Sequence, residues 1–341
     1  EFLKKSGGRF LLGDALPLAR AIEGRLKNLK SVNQVALAGS LRRMQETIGD
    51  LDVLVTSDKP KEVMSFFVKM PEVAHVYSTG ETKTMVRLKN GMDADLRVVK
   101  SNSFGAALQY FTGDKRHNIT LRAIAEKRGL KLNEYGLWRR GKLIAGKTEE
   151  DIYMSLDMAT PAPEIRNDSG EIQAALKSKL PKLINYGDIK GDLQVQTNWT
   201  DGENSIEQMC EAAQSAGLEY IAITDHTKSL AMAGGSDEKK LLKQMTEIDK
   251  LNSRLRQGYG GQAKFRILKG AEVNILKDGS LDIKDEVLAK LDVVGIAVHS
   301  HFNLSRAEQT KRIIKAMRNK HADILFHPTG RLIQKRKPYD I

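Results

Sequence analysis

The chain has 341 residues, 40% of them hydrophobic, a formal net charge of +12 and a single cysteine, Cys210. That length holds two domains or three with ordinary globular cores; one cysteine excludes an intramolecular disulfide and fits a reducing, cytoplasmic setting; and no apolar run approaches the ~20 residues of a membrane span. The positive charge points to an anionic partner, nucleic acid before a membrane surface, with mere solubility as the plain alternative.

In chain order, residues 14–30 have helical apolar spacing with a proline near the start. VNQVALAG (32–39) predicts a strand, SLRRMQET (40–47) a short helix or loop, and DLDVLVTS (50–57) a strand. KPKEVMSFFVKM (59–70) predicts a helix and HVYSTGE (75–81) a short strand. Asn90-Gly91 between the alternating runs MVRLK and MDADLRVV predicts a hairpin. Residues 101–160 read as mostly helical, and the Pro-rich, polar TPAPEIRNDSGEI (160–172) as linker. After about residue 186 the pattern becomes strand, loop, helix, strand. Its strands are GDLQVQT, YIAITDH, RILKGAEVNI, VVGIAVHSH and ADILFHPT, each with His, Gln or Glu near its C-terminal end, where α/β folds build sites. GYGGQA (258–263) reads as a flexible loop with a weak phosphate-binding signal. The first residue is Glu rather than Met and the end, KRKPYDI, has no terminating pattern, so both ends are expected to be cut.

Alternation along a strand puts Asp50 and Asp52 on one face, and likewise Asp93 and Asp95. A hairpin strand beside DLDVL then adds a third carboxylate. Carboxylates converging this way repel unless hard divalent cations such as Mg²⁺ or Mn²⁺ neutralise them. Gly39-Ser40 falls where a strand ends and a helix begins, a place whose backbone N–H groups favour phosphate. Arg42 and Arg43 add forked donors. The combination reads as nucleotidyl transfer with two metal ions; the competing reading is a solvated acidic edge strand after a basic turn.

G-S-L-R-R…G-D-L-D (39–52) resembles the palm signature of the nucleotidyltransferase superfamily, specifically the family X DNA polymerases of the polymerase beta group. The resemblance implies Asp50, Asp52 and Asp95 as catalytic, Mg²⁺- or Mn²⁺-binding carboxylates, with Asp93 the alternative to Asp95. It implies Gly39, Ser40, Arg43 and Arg9 at the triphosphate. SFGAALQYFTGDKRHNITLR (103–122) resembles the family's dNTP-facing segment, with Tyr110, Phe111, Thr112 and Gly113 matching YFTG. Asn118 and Arg122 match its minor-groove probes, a geometry check that reads pairing rather than sequence. LNEYGLW (132–138) resembles the family's closing strand.

GDLQVQTNWTDG (191–202), YIAITDHTKSL, LKGAEVNIL, AVHSHF and ADILFHPTGR resemble a PHP phosphoesterase domain, a distorted α/β barrel whose His, Asp and Glu residues bind several metal ions. Where active, such domains remove nucleotides from a 3′ end with Mn²⁺. By motif, Asp201, His226, Glu272, His299 and His327 match ligands of Mn²⁺ or Zn²⁺, and His301 is a weaker match. The usual H-x-H is here Gln194-Val195-Gln196, and an amide is a poor ligand. Closing Asp-x-His ligands would lie beyond Ile341, and five strand–helix units are few for a closed barrel.

The expected class is α/β: a nucleotidyltransferase palm at 1–100, a nascent-pair subdomain at 101–160, a linker at 161–185 and a partial PHP barrel at 186–341. The implied function is template-dependent filling of short gaps in DNA repair, including base excision repair. Gapped or primed DNA and dNTPs are the expected partners, and the chain is expected to be monomeric. The competing readings are an untemplated nucleotidyltransferase and a PHP half that is a catalytically dead module. The helix-hairpin-helix domain with which family members grip a 5′-phosphate is not visible in the sequence, so weak DNA affinity is expected.

Overall fold

The structure is a computed structural model that describes residues 8–258 and 265–341, so the glycine-rich stretch at 259–264 lies outside the described residues. The chain divides into two compact units after Lys182.

The first unit is built on a five-stranded sheet in the spatial order Gln34–Leu37, Asp50–Thr56, Asp93–Val99, Lys83–Leu88, Val73–Thr79. The two central strands are parallel, pairing Asp50 with Asp93 and Asp52 with Asp95. The predicted hairpin is present: Lys83–Leu88 and Asp93–Val99 run antiparallel. Its turn is made by Asn90, whose Oδ1 accepts from Met92 N at 3.0 Å, and by Gly91 at φ +89°, a conformation that favours glycine. The faces follow the period of two. Leu51, Val53 and Val55 pack under the helices Leu12–Lys27 and Pro60–Val68, against Ile22, Val63 and Phe67. The opposite face carries the carboxylates. Burying that apolar face is the main source of stability here.

A second core in the same unit joins helices Phe104–Thr112, Lys115–Lys127 and Glu149–Ser155 to the small antiparallel sheet Lys131–Asn133, Gly136–Arg139, Lys142–Ala145. The expectation of linker at 161–185 is corrected over its first half. Helix Glu171–Leu176 buries Ile172 and Ala175 in that core, and Arg166 is only 1% exposed. The polar composition misled because Arg166 is buried with a charge partner, which composition cannot display.

The second unit contains a five-stranded, wholly parallel sheet in sequential order: Gly191–Val195, Tyr220–Ile223, Arg266–Asn274, Val293–Ala297, Ile324–Leu325. All five predicted strands are present. Helices Ile206–Ser215 and Arg306–Met317 start at Ser205 and Ser305 with capping boxes to Gln208 and Glu308, satisfying amides that would otherwise be orphaned. Sequential parallel strands curl the sheet into part of a barrel and set their C-terminal ends side by side. Among the described residues, no helix is long and apolar enough to cross a membrane.

Candidate functional site

On the palm sheet, Asp50 is exposed and Asp52 half-buried on the same face, with Asp95 in register beside Asp52. Burial, then the charges of Asp50 and Asp95, push the Asp52 carboxyl up to about 7, while Arg97 and Lys83 pull it down. Three carboxylates converging on one face, two of them raising the pKa of Asp52, form a site suited to cations. Lys83 Nζ lies 3.0 Å from Asp95 Oδ2, a partial counter-charge that sequence reasoning missed. Asp93 is otherwise engaged: its two oxygens accept from Arg87 Nε and Nη2 at 2.5 and 3.0 Å, and Arg87 is 3% exposed. That pairing favours Asp95 over Asp93 as the third member.

Gly39 opens a four-residue helical turn, Gly39–Arg42, with Ser40 next to it. Its φ is +63°, and a Cβ there would fall 2.3 Å from Asp52 Oδ2. Glycine is therefore required twice, by conformation and by the approach of the carboxylate.

The adjacent arginines have opposite fates. Arg42 is not a free phosphate donor: Nη1 and Nη2 fork onto Glu149 at 2.9 and 2.6 Å, and Nη1 also reaches Thr112 Oγ1 at 2.7 Å. Glu149 takes a second donor, Arg166 Nη1, at 2.5 Å. Burial pushes Glu149 up, but Arg42 and Arg166 outweigh it and hold the carboxyl below its usual range. Arg43 Nη1 donates to Thr112 O, joining the palm turn to the YFTG segment. Burial lowers the Arg43 pKa against the pull of Asp114 and Asp52, and Arg9 and Arg166 add to the lowering. Arg9 donates from Nε to Thr47 Oγ1 at 2.7 Å, so it sits beside Gly49 and the start of the Asp50 strand.

Tyr110 and Phe111 are half-buried and meet edge to face with centroids 5.1 Å apart; the Arg97 guanidinium lies 4.4 Å from the Phe111 ring centroid. Gly113 ends the helix at φ +59°, close to both Arg43 and Asn118. The Asn118 amide is spent internally, accepting from Gln109 Nε2 and donating to Tyr110 O, each at 2.7 Å. It holds the Tyr110 backbone in place. Arg122 Nε donates to Asn118 O at 3.3 Å.

Asp52 has a consequence for stability. Its folded pKa, about 7, lies above its unfolded value near 4. The stability this group contributes is fully present below pH ~4 and is lost as pH rises through about 7. Thermal unfolding in EDTA should therefore show the native chain losing Tm across that window relative to Asp52→Asn, and Mg²⁺ should remove the loss. Parallel Tm profiles for the two chains in EDTA would contradict this.

In the second unit, residues from successive strand ends close around Glu272, which is 1% exposed. Oε1 lies 2.9 Å from His299 Nε2, 2.7 Å from His327 Nε2 and 4.0 Å from His226 Nδ1. Among the described residues, His226, Glu272 and His299 alone bring three ligand atoms within 4.8 Å of one another. Asp201 stands at the margin, Oδ2 3.5 Å from His226 Nε2 and half-exposed. His301 is exposed, at φ +55°, and does not line the cavity of about 470 Å³ formed by the other residues. Burial pushes Glu272 up, but hydrogen bonds from His299, His327 and Gln194, with the charge of His226, outweigh it and hold the carboxyl well below the usual range.

The supporting residues were missed from sequence. Asp225, fully buried, accepts from Thr197 N, Thr200 Oγ1 and Gln244 Nε2 and anchors the loop after Gln196. Asn274 Oδ1 meets His299 Nδ1 at 2.7 Å. The signal for Asn274 was available: it stands two residues after Glu272, on the same face of its strand.

A family model described as DNA polymerase beta thumb matches residues 107–167, and one described as PHP domain matches residues 192–334. The chain is 40% identical to the DNA polymerase/3′-5′ exonuclease PolX of Bacillus subtilis (strain 168), over 99% of this chain and 58% of that protein. It is 29% identical to the repair DNA polymerase X of African swine fever virus (isolate Warthog/Namibia/Wart80/1980), over 44% of this chain and 90% of the viral protein. A probable phosphatase of Syntrophotalea carbinolica is 28% identical over 37% of this chain and 48% of that protein. The chain thus spans a little over half the length of the Bacillus relative.

Proposed function

We propose that the chain is a family X DNA polymerase carrying a PHP domain, and that its first unit is a template-dependent DNA polymerase that fills short gaps in repair; the two family matches and the similarity to the Bacillus relative support this. One observation carries the reading: the parallel register that sets Asp52 beside Asp95, with Asp50 on the same face, under the Gly39–Arg42 turn. The shared repulsion seen at Asp52 fits divalent cations. Bound there, two such ions lower the charge barrier to displacement at phosphorus.

The residues divide the work. Asp50 and Asp52 would hold the cations that screen the triphosphate charge. Asp95 would face the primer 3′-hydroxyl and accept its proton as the oxygen attacks the α-phosphorus and pyrophosphate leaves. Ser40 and Arg43, with Arg9, meet the triphosphate oxygens. Tyr110 and Phe111 border the sugar, so a ribose 2′-OH is disfavoured. Asn118 acts on the nucleotide through the Tyr110 backbone it holds, and Arg122 lies toward the nascent pair. Gapped or primed DNA is the partner, its phosphates met by the excess of Lys and Arg, so affinity falls steeply with salt. Mg²⁺ or Mn²⁺ is the proposed cofactor of the palm, Mn²⁺ or Zn²⁺ of the second unit. A cytoplasmic monomer acting in base excision repair fits this reading.

Template dependence is tested by offering one labelled primer alone and annealed to a longer strand. Extension of the annealed primer only is the expected result. Equal extension of both would replace this reading with an untemplated nucleotidyltransferase.

A further inference from the structure

The two oxygens of Glu272 face different chemistry. Oε1 faces the three imidazoles. Oε2 accepts from Gln194 Nε2 at 3.0 Å and from Gln196 Nε2 at 2.9 Å. Gln196 Nε2 also lies 3.4 Å from Thr224 O. Two acceptors therefore fix its amide with the donor end toward Glu272, and turning it over would set oxygen against oxygen. An amide N–H group has no lone pair for a metal ion. The residues at 194 and 196 thus do not fit the several-ion centre that the H-x-H pattern of a PHP domain implies, which would take ligands from both positions.

The Oε1 side does fit one ion. Asn274 Nδ2 is surrounded by acceptors, Thr227 O at 3.1 Å, Thr227 Oγ1 at 2.9 Å and Asp282 Oδ2 at 3.0 Å. Its Oδ1 must then face His299, so His299 Nδ1 carries a proton, and an ion that replaces the Nε2 proton shared with Glu272 would meet the Nε2 lone pair. His226 Nδ1 is buried without a hydrogen-bond partner, 4.0 Å from Oε1. His226, Glu272 and His299 together offer two imidazoles and one carboxylate oxygen within 4.8 Å of one another, a donor set suited to Zn²⁺ or Mn²⁺.

We infer that Gln194 and Gln196 stand in for a second ion by neutral hydrogen bonding, and that this PHP domain is a one-ion centre held by His226, Glu272 Oε1 and His299. The inference rests on the PHP assignment of the second unit and not on polymerase activity. The two-ion clamp that stabilises both attacking and leaving oxygens is unavailable.

The full chain carrying Asp50→Asn and Asp52→Asn, so that the palm takes up no ions, is titrated with Mn²⁺ or Zn²⁺ and its bound metal measured. One tight ion per chain is expected, falling to none with His299→Ala, and Mn²⁺ should give an uncoupled six-line paramagnetic resonance spectrum. Adding Gln194→His and Gln196→His together should raise the count to two. Two or more ions without those changes, an exchange-coupled Mn²⁺ spectrum, or no tight ion at all would overturn the inference. The spectrum of the chain with its native glutamines decides even if the histidine variant does not fold. Because no reading involves incorporation, failure of the polymerase assignment would leave this result standing, and the reverse.

Discussion

Replacing Asp52 by Asn is expected to lower nucleotide incorporation by on the order of 10³-fold or more. The substitution keeps the side chain's size, so the close approach to Gly39 is preserved. It removes the charge at the centre of the cluster, where burial and the neighbours Asp50 and Asp95 have already pushed the pKa to about 7. Without that charge the cations lose their shared ligand and the strand face loses the repulsion that recruits them. DNA affinity should be unchanged or slightly tighter, because Lys and Arg contacts to phosphate are untouched. Single-turnover incorporation and equilibrium DNA binding, measured on the same preparation, separate the two effects. Incorporation at the native rate would contradict the site; loss of both would mean that the fold had failed. Asp93→Asn should be much milder for chemistry, since Asp93 is committed to Arg87.

Glu149→Ala is expected to destabilise the first unit by about 3–5 kcal/mol. Glu149 receives two guanidinium groups, Arg42 from the Gly39–Arg42 turn and Arg166 from the segment after the small sheet. Removing it leaves Arg166, 1% exposed, as an uncompensated buried charge, and frees the Arg42 fork. Arg42 belongs to the Gly39–Arg42 turn, so incorporation should fall as well, through misplacement of Ser40 and Arg43. Chemical unfolding followed by Trp138 fluorescence in a Trp199→Phe background reports on the first unit alone. A change below about 1 kcal/mol, the range of an exposed pair, would show that the triad is not structural.

The palm face was legible because strands and hairpins have a period of two, and Asn90-Gly91 fixes where the chain reverses. From those alone Asp50 and Asp52 share a face, as do Asp93 and Asp95; the resemblance, not the period, singled out Asp95. The sequence did not separate Arg42 from Arg43, because their partners, Glu149 and Thr112, lie far along the chain. Asn118 shows the same limit: a helix position foretells its face, but not that Gln109 and Tyr110 use up its amide. Residues 161–185 were misread over their first half for a related reason, since buried ion pairs look like solvent-seeking composition. In the second unit the strand ends were legible, and so was the absence of imidazole at 194 and 196. What the glutamines do instead, capping one oxygen of Glu272, required the fold that brings strands separated by some seventy residues together.

The most direct measurement is extension of a one-nucleotide gapped duplex with each dNTP supplied singly, in Mg²⁺ and then in Mn²⁺. Incorporation of the complementary nucleotide alone, abolished by Asp52→Asn, is the predicted result. Indifference to the templating base, or incorporation that survives Asp52→Asn, would contradict the account.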